Sequence, residues 1–180
     1  VGVRPGDPVA DLAFNIAFAR FRRQLLAALA DAGLVAEVPL QSGGLFGGEG
    51  CSPLVDEEVG LPTFFDDFVV VLDSPRPLQL LDDLVTAAEL VVRTASAHGL
   101  SINFKAGKTE AIVRLAGPSL RAARRRLTSL ESLPSSDEQR QGVLAHLPLA
   151  GGQLLKVVAS YRHLGVTTAA TTAMNVEFAS

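Results

Sequence analysis

Two adjacent aspartates, Asp66 and Asp67, interrupt an apolar and β-prone run over residues 63–72. Such runs normally exclude charged side chains, and neighbouring residues of a straight strand point to opposite faces of a sheet. A tight hairpin would instead bring both carboxylates to one end of the sheet, where their hard oxygen atoms suit divalent cations. The same residues also fit an ordinary Asp-Asp turn between two strands. We therefore expect a hairpin and treat the acid pair as a candidate metal site.

Composition limits the class of protein. The chain has 180 residues, of which 48% are hydrophobic, and can bury one sizeable core. A net charge of −3 argues against a generally basic nucleic-acid-binding surface, although it does not exclude a local one. Cys51 is the only cysteine, which excludes an internal disulfide and a thiolate cluster. No apolar run is long enough to cross a bilayer, so a membrane span is not expected.

Two long helices are predicted from the hydrophobic spacing. Asp7 followed by Pro8 is typical of a helix start, and Gly33 is typical of the end of that helix. Its apolar face is expected to consist of Leu12, Ala13, Ile16, Ala17, Leu25, Leu26 and Leu29. A second amphipathic helix is predicted over residues 78–97, and Gly99 ends it.

The second half of the chain predicts strands and one further helix. Residues 100–104 and 109–115 are expected to be strands, and residues 153–159 are expected to pair with residues 161–167. The polar residues 133–140 are expected to form a loop. This order favours an α+β fold with helices packed on one face of an antiparallel sheet.

The third predicted helix is basic. Gly117-Pro118 precedes it, and it carries Arg121, Arg124, Arg125 and Arg126. Such a cluster can contact a phosphate backbone, but it is also typical of a solvated helix face.

Four segments form an ordered series along the chain. The first reads Gly-Val-Arg-Pro-Gly-Asp-Pro from Gly2 and continues to Leu-Ala-Phe-Asn at Asn15. The others are Phe-Phe-Asp-Asp at 64–67, Gly-Leu-Ser-Ile-Asn-Phe-Lys-Ala-Gly-Lys-Thr-Glu at 99–110 and Tyr-Arg-His-Leu-Gly-Val at 161–166. In order and spacing they resemble the conserved segments of reverse transcriptases, above all those of non-LTR retrotransposons and group II introns.

The resemblance implies a fold and a reaction. The fold would be a palm-type antiparallel sheet (ferredoxin-like) with helices on one face, and a C-terminal β-hairpin leading toward a thumb. Residues 1–167 would form a partial palm domain, without the fingers or the first catalytic strand, and residues 168–180 a C-terminal tail. The reaction would be extension of a DNA primer on an RNA template from deoxynucleoside triphosphates, with Mg²⁺ or Mn²⁺, by two-metal phosphoryl transfer.

The resemblance also assigns roles to individual residues. Asp66 would be the main metal ligand, Asp67 the supporting acid, and Lys108 would lie near the phosphates of the incoming nucleotide. The residues implied to contact template or primer are Arg4, Gly6, Asp7, Asn15, Tyr161, Leu164 and Gly165. Lys108 also fits a solvated turn lysine, and Asn15 also fits a helix-surface side chain.

Two other interpretations remain open. Pro5 and Phe65 stand where the family has a glutamine and a small residue, and these departures favour a non-catalytic, nucleic-acid-binding remnant of a retroelement. A nucleotide cyclase shares the hairpin of carboxylates but has no place for the first and fourth segments. The family's other metal-binding aspartate lies on a strand upstream of Gly2. We therefore expect that these residues require the remainder of a parent polypeptide and do not polymerise alone.

Overall fold

The structure is a computed structural model that describes residues 8–36, 61, 63–64, 67–129, 133–163 and 166–169. The chain divides into two compact units, Val1–Asp73 and Ser74–Ser180. The described residues contain both helices and strands, which confirms the α+β class. In chain order the elements are α1 (Pro8–Asp31), β1 (Thr63–Phe64), β2 (Asp67–Phe68), α2 (Pro77–Ala97), β3 (Glu110–Ile112), α3 (Leu120–Leu127), α4 (Ser136–Arg140), β4 (Val143–Pro148), β5 (Leu154–Val158), β6 (Ser160–His163) and β7 (Val166–Ala169).

Helix α1 begins and ends where the sequence predicts. Pro8 is its first residue, a position where the missing N–H costs nothing. Gly33 adopts a φ of 68°, its N–H donates to the Ala30 carbonyl at 2.9 Å, and the Leu34 N–H donates to the Leu29 carbonyl at 2.8 Å. This pair of bonds is a Schellman motif, which satisfies carbonyl groups that the helix end leaves unpaired.

The predicted apolar face of α1 is correct only in its second half. Leu25 and Leu29 are buried, together with Phe21, whereas Leu12 and Ile16 are 61% and 49% exposed. Helical spacing identifies which side of a helix is apolar, but it does not show how far along the axis a partner covers that side. The described partner is Phe68 of β2, whose ring lies 5.6 Å from the Phe21 ring and 6.4 Å from that of Phe18.

A tight hairpin at the acid pair is confirmed. Strands β1 and β2 are antiparallel, with Phe64 opposite Asp67 and Thr63 opposite Phe68. Each strand has two residues, so the pairing is shorter than the run over residues 63–72 suggested. Residues 65 and 66 connect the two strands and lie outside the described residues.

The second unit is built on a three-stranded sheet in the order β3-β5-β4. Strand β4 pairs with β5 antiparallel, whereas β3 pairs with β5 parallel, so the predicted antiparallel sheet is in fact mixed. The parallel pair is possible because the connection from β3 to β5 runs through α3, α4 and β4, and such a pair requires a long connection.

The core of this unit lies between the sheet and the helices α2 and α3. Side chains that alternate along β4 and β5 point to the same side, where Leu81 of α2 and Ala123 of α3 cover them. The sheet residues in this core cluster are Ala111, Ala145, Leu147, Leu155 and Val157. Helix α2 covers the predicted range and is followed by Gly99 with a φ of 70°. Packing of these two helices on one face agrees with the expectation.

The predicted loop over residues 133–140 is wrong, because it contains the short helix α4. The Ser135 side chain accepts a hydrogen bond from the Glu138 N–H at 3.4 Å, and the Ser135 N–H donates to the Glu138 carboxylate at 3.1 Å. These reciprocal bonds form a capping box, and the spacing Ser-x-x-Glu was its visible sequence signal.

Two strand predictions are also wrong. Residues 100–104 form no strand: the Phe104 carbonyl accepts a bond from the Lys156 ammonium at 3.0 Å, and the Asn103 carboxamide accepts the Lys105 N–H at 3.0 Å. Residues 153–159 do not pair with 161–167, since a single residue separates β5 from β6 and a hairpin needs at least two. The strand predicted over 109–115 is present but shorter, as the three-residue β3.

Strand β6 instead pairs with β7, with Tyr161 opposite Thr168 and His163 opposite Val166. The connecting residues Leu164 and Gly165 lie outside the described residues. This C-terminal hairpin runs two residues past the domain boundary predicted at 167. Among the described residues, no helix combines the length and apolar character that a bilayer crossing requires.

Two leucines of β4 provide a direct test of the core. Leu147 is 1% exposed inside the cluster, whereas Leu144 on the same strand is 56% exposed. We expect Leu147→Ala to lower the free energy of unfolding by about 2–5 kcal/mol, because it removes buried apolar surface and leaves a cavity. Leu144→Ala should change it by about 0.5 kcal/mol or less. Urea unfolding measures both, and equal losses would contradict this packing.

Candidate nucleotide and nucleic-acid site

Asp67 is presented on the hairpin of the first unit. It is the first residue of β2, its side chain is exposed, and the next residue, Phe68, packs against Phe18 and Phe21 of α1. The ring contacts therefore fix the strand that carries the carboxylate. Asp67 has the hard oxygen donors that Mg²⁺ and Mn²⁺ take as ligands, so its chemistry fits the implied metal. Asp66, implied as the main ligand, lies outside the described residues.

Lys108 closes a turn in the second unit. Its N–H donates to the Lys105 carbonyl at 3.1 Å, and Gly107, the residue before it, adopts a φ of 72°. A left-handed conformation at the third position of such a turn favours glycine. The Gly107 N–H in turn donates to the Glu110 carboxylate at 2.7 Å, so the first residue of β3 braces the turn. The Lys108 side chain is exposed.

Tyr161 connects β6 to this turn. Its hydroxyl group donates to the Lys108 carbonyl at 3.0 Å, across a sequence separation of 53 residues. The tyrosine is half-buried, and its position on β6 is set by the pairing with Thr168 of β7. Two residues that the sequence placed in different segments are therefore in direct contact.

A shallow groove of about 420 Å³ lies beside this contact. It is lined by the turn residues Ala106 and Gly107, by Val143 of β4 and by the polar residues Glu110, Gln141, Ser160 and Tyr161. The lining residues include no lysine or arginine, and Glu110 is acidic, so the groove itself suits a neutral polar group better than a phosphate. Lys108 places a positive charge in the same turn, one residue from Gly107.

Sequence reasoning missed part of this lining. Glu110 belongs to the third segment, but its bond to the Gly107 N–H was not anticipated. Gln141 and Ser160 lie at the ends of elements, next to α4 and at the start of β6, and no motif singled them out. Their arrival at one groove depends on how the strands pair, which local spacing does not reveal.

The other predicted residues are distributed as follows. Asn15 is exposed on α1 and, like Asp67, belongs to the first unit. Lys108 and Tyr161 belong to the second unit and are the predicted residues that the described structure brings into contact. The predicted contacts that lie outside the described residues are Arg4, Gly6, Asp7, Leu164 and Gly165. Within the described ranges, which omit Asp66, no group of three or more His, Cys, Asp or Glu side chains could hold a metal ion.

A second polar cluster joins α4 to the sheet, on the side away from the core. Glu138 Oε1 lies 3.3 Å from His146 Nε2 and 3.7 Å from Lys156 Nζ. His146 is 6% exposed, and its contact with Glu138 does not have the geometry of a hydrogen bond, so Nε2 has no hydrogen-bond partner among the described residues. Hydrogen bonds from the Ser135 backbone and hydroxyl lower the pKa of Glu138, burial opposes them, and the charges of His146 and Lys156 lower it further.

Removing the Tyr161 hydroxyl tests the link to the Lys108 turn. We expect Tyr161→Phe to lower the free energy of unfolding by about 0.5–1.5 kcal/mol, the usual net value of one hydrogen bond. Amide hydrogen exchange of residues 105–110 should accelerate as well, because the carbonyl that anchors the turn loses its donor. Ser160→Ala, an exposed neighbour, serves as the control. Unchanged exchange in Tyr161→Phe would refute the link.

The capping box predicts a pH dependence of stability. Because the pKa of Glu138 is lowered from its ordinary value of 4.5, its contribution to stability is full above that value and disappears as the pH falls through the lower, folded value. Between pH 4.5 and the lower folded pKa, urea unfolding should show a smaller loss of stability in Glu138→Gln than in the unsubstituted chain. Ser135→Ala should weaken the same dependence only in part, since it removes the hydroxyl bond but keeps the backbone N–H bond, which is the larger of the two causes. If the unsubstituted chain showed no such loss of stability at acidic pH, the role given to Glu138 would be contradicted.

Comparison with known proteins gives no match. No protein-family model, no curated protein and no solved structure matches this chain. The likeness to reverse transcriptases consequently depends on the four sequence segments. What the structure adds is the geometry of Asp67, Lys108 and Tyr161 within three of those segments.

Proposed function

We propose that this chain is part of the palm of an RNA-directed DNA polymerase, a reverse transcriptase of the non-LTR retrotransposon or group II intron type. The observation that carries the proposal is the hydrogen bond from the Tyr161 hydroxyl to the Lys108 carbonyl. Both residues were selected from sequence segments that are far apart in the chain. A common site requires such segments to meet, and this bond joins a residue of the third segment to a residue of the fourth.

The hairpin of the first unit supports the proposal independently. Asp67 lies at a two-residue connection between antiparallel strands, and it is exposed while its neighbour Phe68 is anchored to α1. Acids that crown a hairpin can hold cations, whereas the same acids in a longer straight strand would diverge. The palm-type, ferredoxin-like arrangement remains part of the proposal. The packing of α2 and α3 on one face and the β6–β7 hairpin support it, and the parallel pairing of β3 departs from it.

The proposed mechanism assigns one task to each residue. Asp66 and Asp67 would hold Mg²⁺, which when bound supplies Lewis-acid activation of the attacking and leaving oxygens of phosphoryl transfer. The exposed Lys108 ammonium would stabilise negative charge on the phosphates of a deoxynucleoside triphosphate. Tyr161, on the β6–β7 hairpin that would border the primer, would hold the backbone of Lys108 in place through its hydroxyl group. The chain would contact the RNA template and DNA primer together with the remainder of the parent polypeptide.

Primer extension on an RNA template tests this function. We propose that the 180-residue chain is inactive by itself, so the assay uses a longer polypeptide that also supplies the upstream aspartate strand implied by the resemblance. Replacing Asp66 and Asp67 by Asn should lower the extension rate by about 100-fold or more, since a metal ligand contributes several kcal/mol to transition-state stabilisation.

The control substitutes another pair of neighbouring aspartates and changes the charge by the same amount. Asp82 and Asp83 lie on α2, where Asp82 pairs with Arg126 and Asp83 accepts a bond from Gln79. Asp82→Asn, Asp83→Asn should leave extension within about twofold of the parent, because an exposed ion pair contributes little. No extension by a well-folded parent polypeptide would favour a non-catalytic nucleic-acid-binding remnant.

A further inference from the structure

The basic helix α3 carries three arginines without a described acidic partner. Arg121, Arg124 and Arg125 are exposed, and no described carboxylate forms an ion pair with them. Arg126 differs, because its guanidinium lies 2.5 Å from the Asp82 carboxylate of α2. The whole chain has a net charge of −3, so this concentration of positive charge is a local exception.

The helical repeat places these arginines on one side. Ala123 is fully buried, and Leu120 and Leu127, before and after it in the sequence, are half-buried on the same face. These three residues define the inner face of α3. At 3.6 residues per turn, Arg121 and Arg125 lie at the centre of the opposite face and Arg124 lies beside them. We call these three side chains the basic face of α3.

The stability of α3 explains only some of these charges. Arg124 and Arg125 lie in the last turn, where a cation interacts favourably with the helix dipole. Arg121 lies in the first turn, where the same dipole disfavours a cation. It is also three and four positions from Arg124 and Arg125, a spacing at which like charges repel. Arg121 therefore weakens the isolated helix, and an external anion on the basic face would remove this penalty.

We propose that the basic face of α3 binds the phosphate backbone of a nucleic acid. One guanidinium group can donate two parallel hydrogen bonds to the oxygens of a phosphate. Side chains one helical turn apart are separated by about 5–6 Å, close enough to contact neighbouring phosphates. A lipid surface fits less well, since Ala122 is the only apolar residue on the outer side and membrane-binding helices expose larger apolar groups.

The choice of a nucleic acid as the partner rests on the proposed function, whereas the choice of the basic face as the binding surface rests on the charges of α3. The basic face would serve a polymerase and a non-catalytic remnant alike. Binding can also be measured without metal or nucleotide, so its outcome is separate from that of primer extension.

Fluorescence anisotropy with a short, labelled RNA–DNA hybrid tests the proposal, with the full chain in EDTA over a range of salt concentrations. Arg121→Gln, Arg125→Gln should weaken binding about tenfold and should reduce the slope of log affinity against log salt by about two, one for each lost phosphate contact. The control, Arg93→Gln, Arg140→Gln, removes the same charge from exposed positions on α2 and α4 and should leave the slope within about 0.5 of the parent.

Circular dichroism and thermal unfolding should show that both double variants are folded, because all four side chains are exposed. Absence of binding by the unsubstituted chain, or equal losses of affinity in the two double variants, would overturn the proposal. Competition by polyglutamate as strong as that by unlabelled hybrid would also overturn it, since the face would then recognise acidic peptides rather than a nucleic acid.

Discussion

The pairing of β5 with strands on both of its edges is the constraint on which the second unit depends. Leu155 and Val157 point into the core beneath α2 and α3, whereas Lys156, between them, points to the opposite face. A shift of one residue in this register would bury the lysine among leucines and expose both apolar side chains. The same strand then leads through one residue into β6, so the register of β5 also determines where Tyr161 lies.

From there a short series of bonds reaches the candidate site. Tyr161 donates to the Lys108 carbonyl, and the Lys108 turn is closed on Lys105 and braced by the carboxylate of Glu110. Glu110 lies on β3, opposite Lys156 of β5. The central strand therefore fixes both ends of the contact, one through β3 and the other through β6. A turn held in this way presents Lys108 from a braced backbone, which would suit the phosphate contact proposed for this residue.

Sequence reasoning succeeded where a local rule determines the structure. Pro8 and Gly33 bound α1, Gly99 follows α2, and the acid pair falls at a hairpin, because each depends on backbone preferences of a few neighbouring residues. It failed where distant residues decide. The Phe104 carbonyl accepts a bond from Lys156, 52 residues later in the chain, and residues 100–104 form no strand. The parallel pairing of β3 depends on the path of the whole connection. The cluster of Glu138, His146 and Lys156 comes from three elements, and no spacing in the sequence indicates it.

The proposed function requires the hairpin of Asp66 and Asp67 to hold a divalent metal ion. The most direct test is paramagnetic broadening of backbone amide signals by Mn²⁺ at substoichiometric concentration, since a paramagnetic ion detects weak sites as well as strong ones. We expect signals of residues 64–68 to broaden before those of Asp82 and Asp83, a pair of equal charge on α2, and Asp66→Asn, Asp67→Asn to abolish this preference. Equal broadening at both acid pairs, or none at the hairpin, would contradict it.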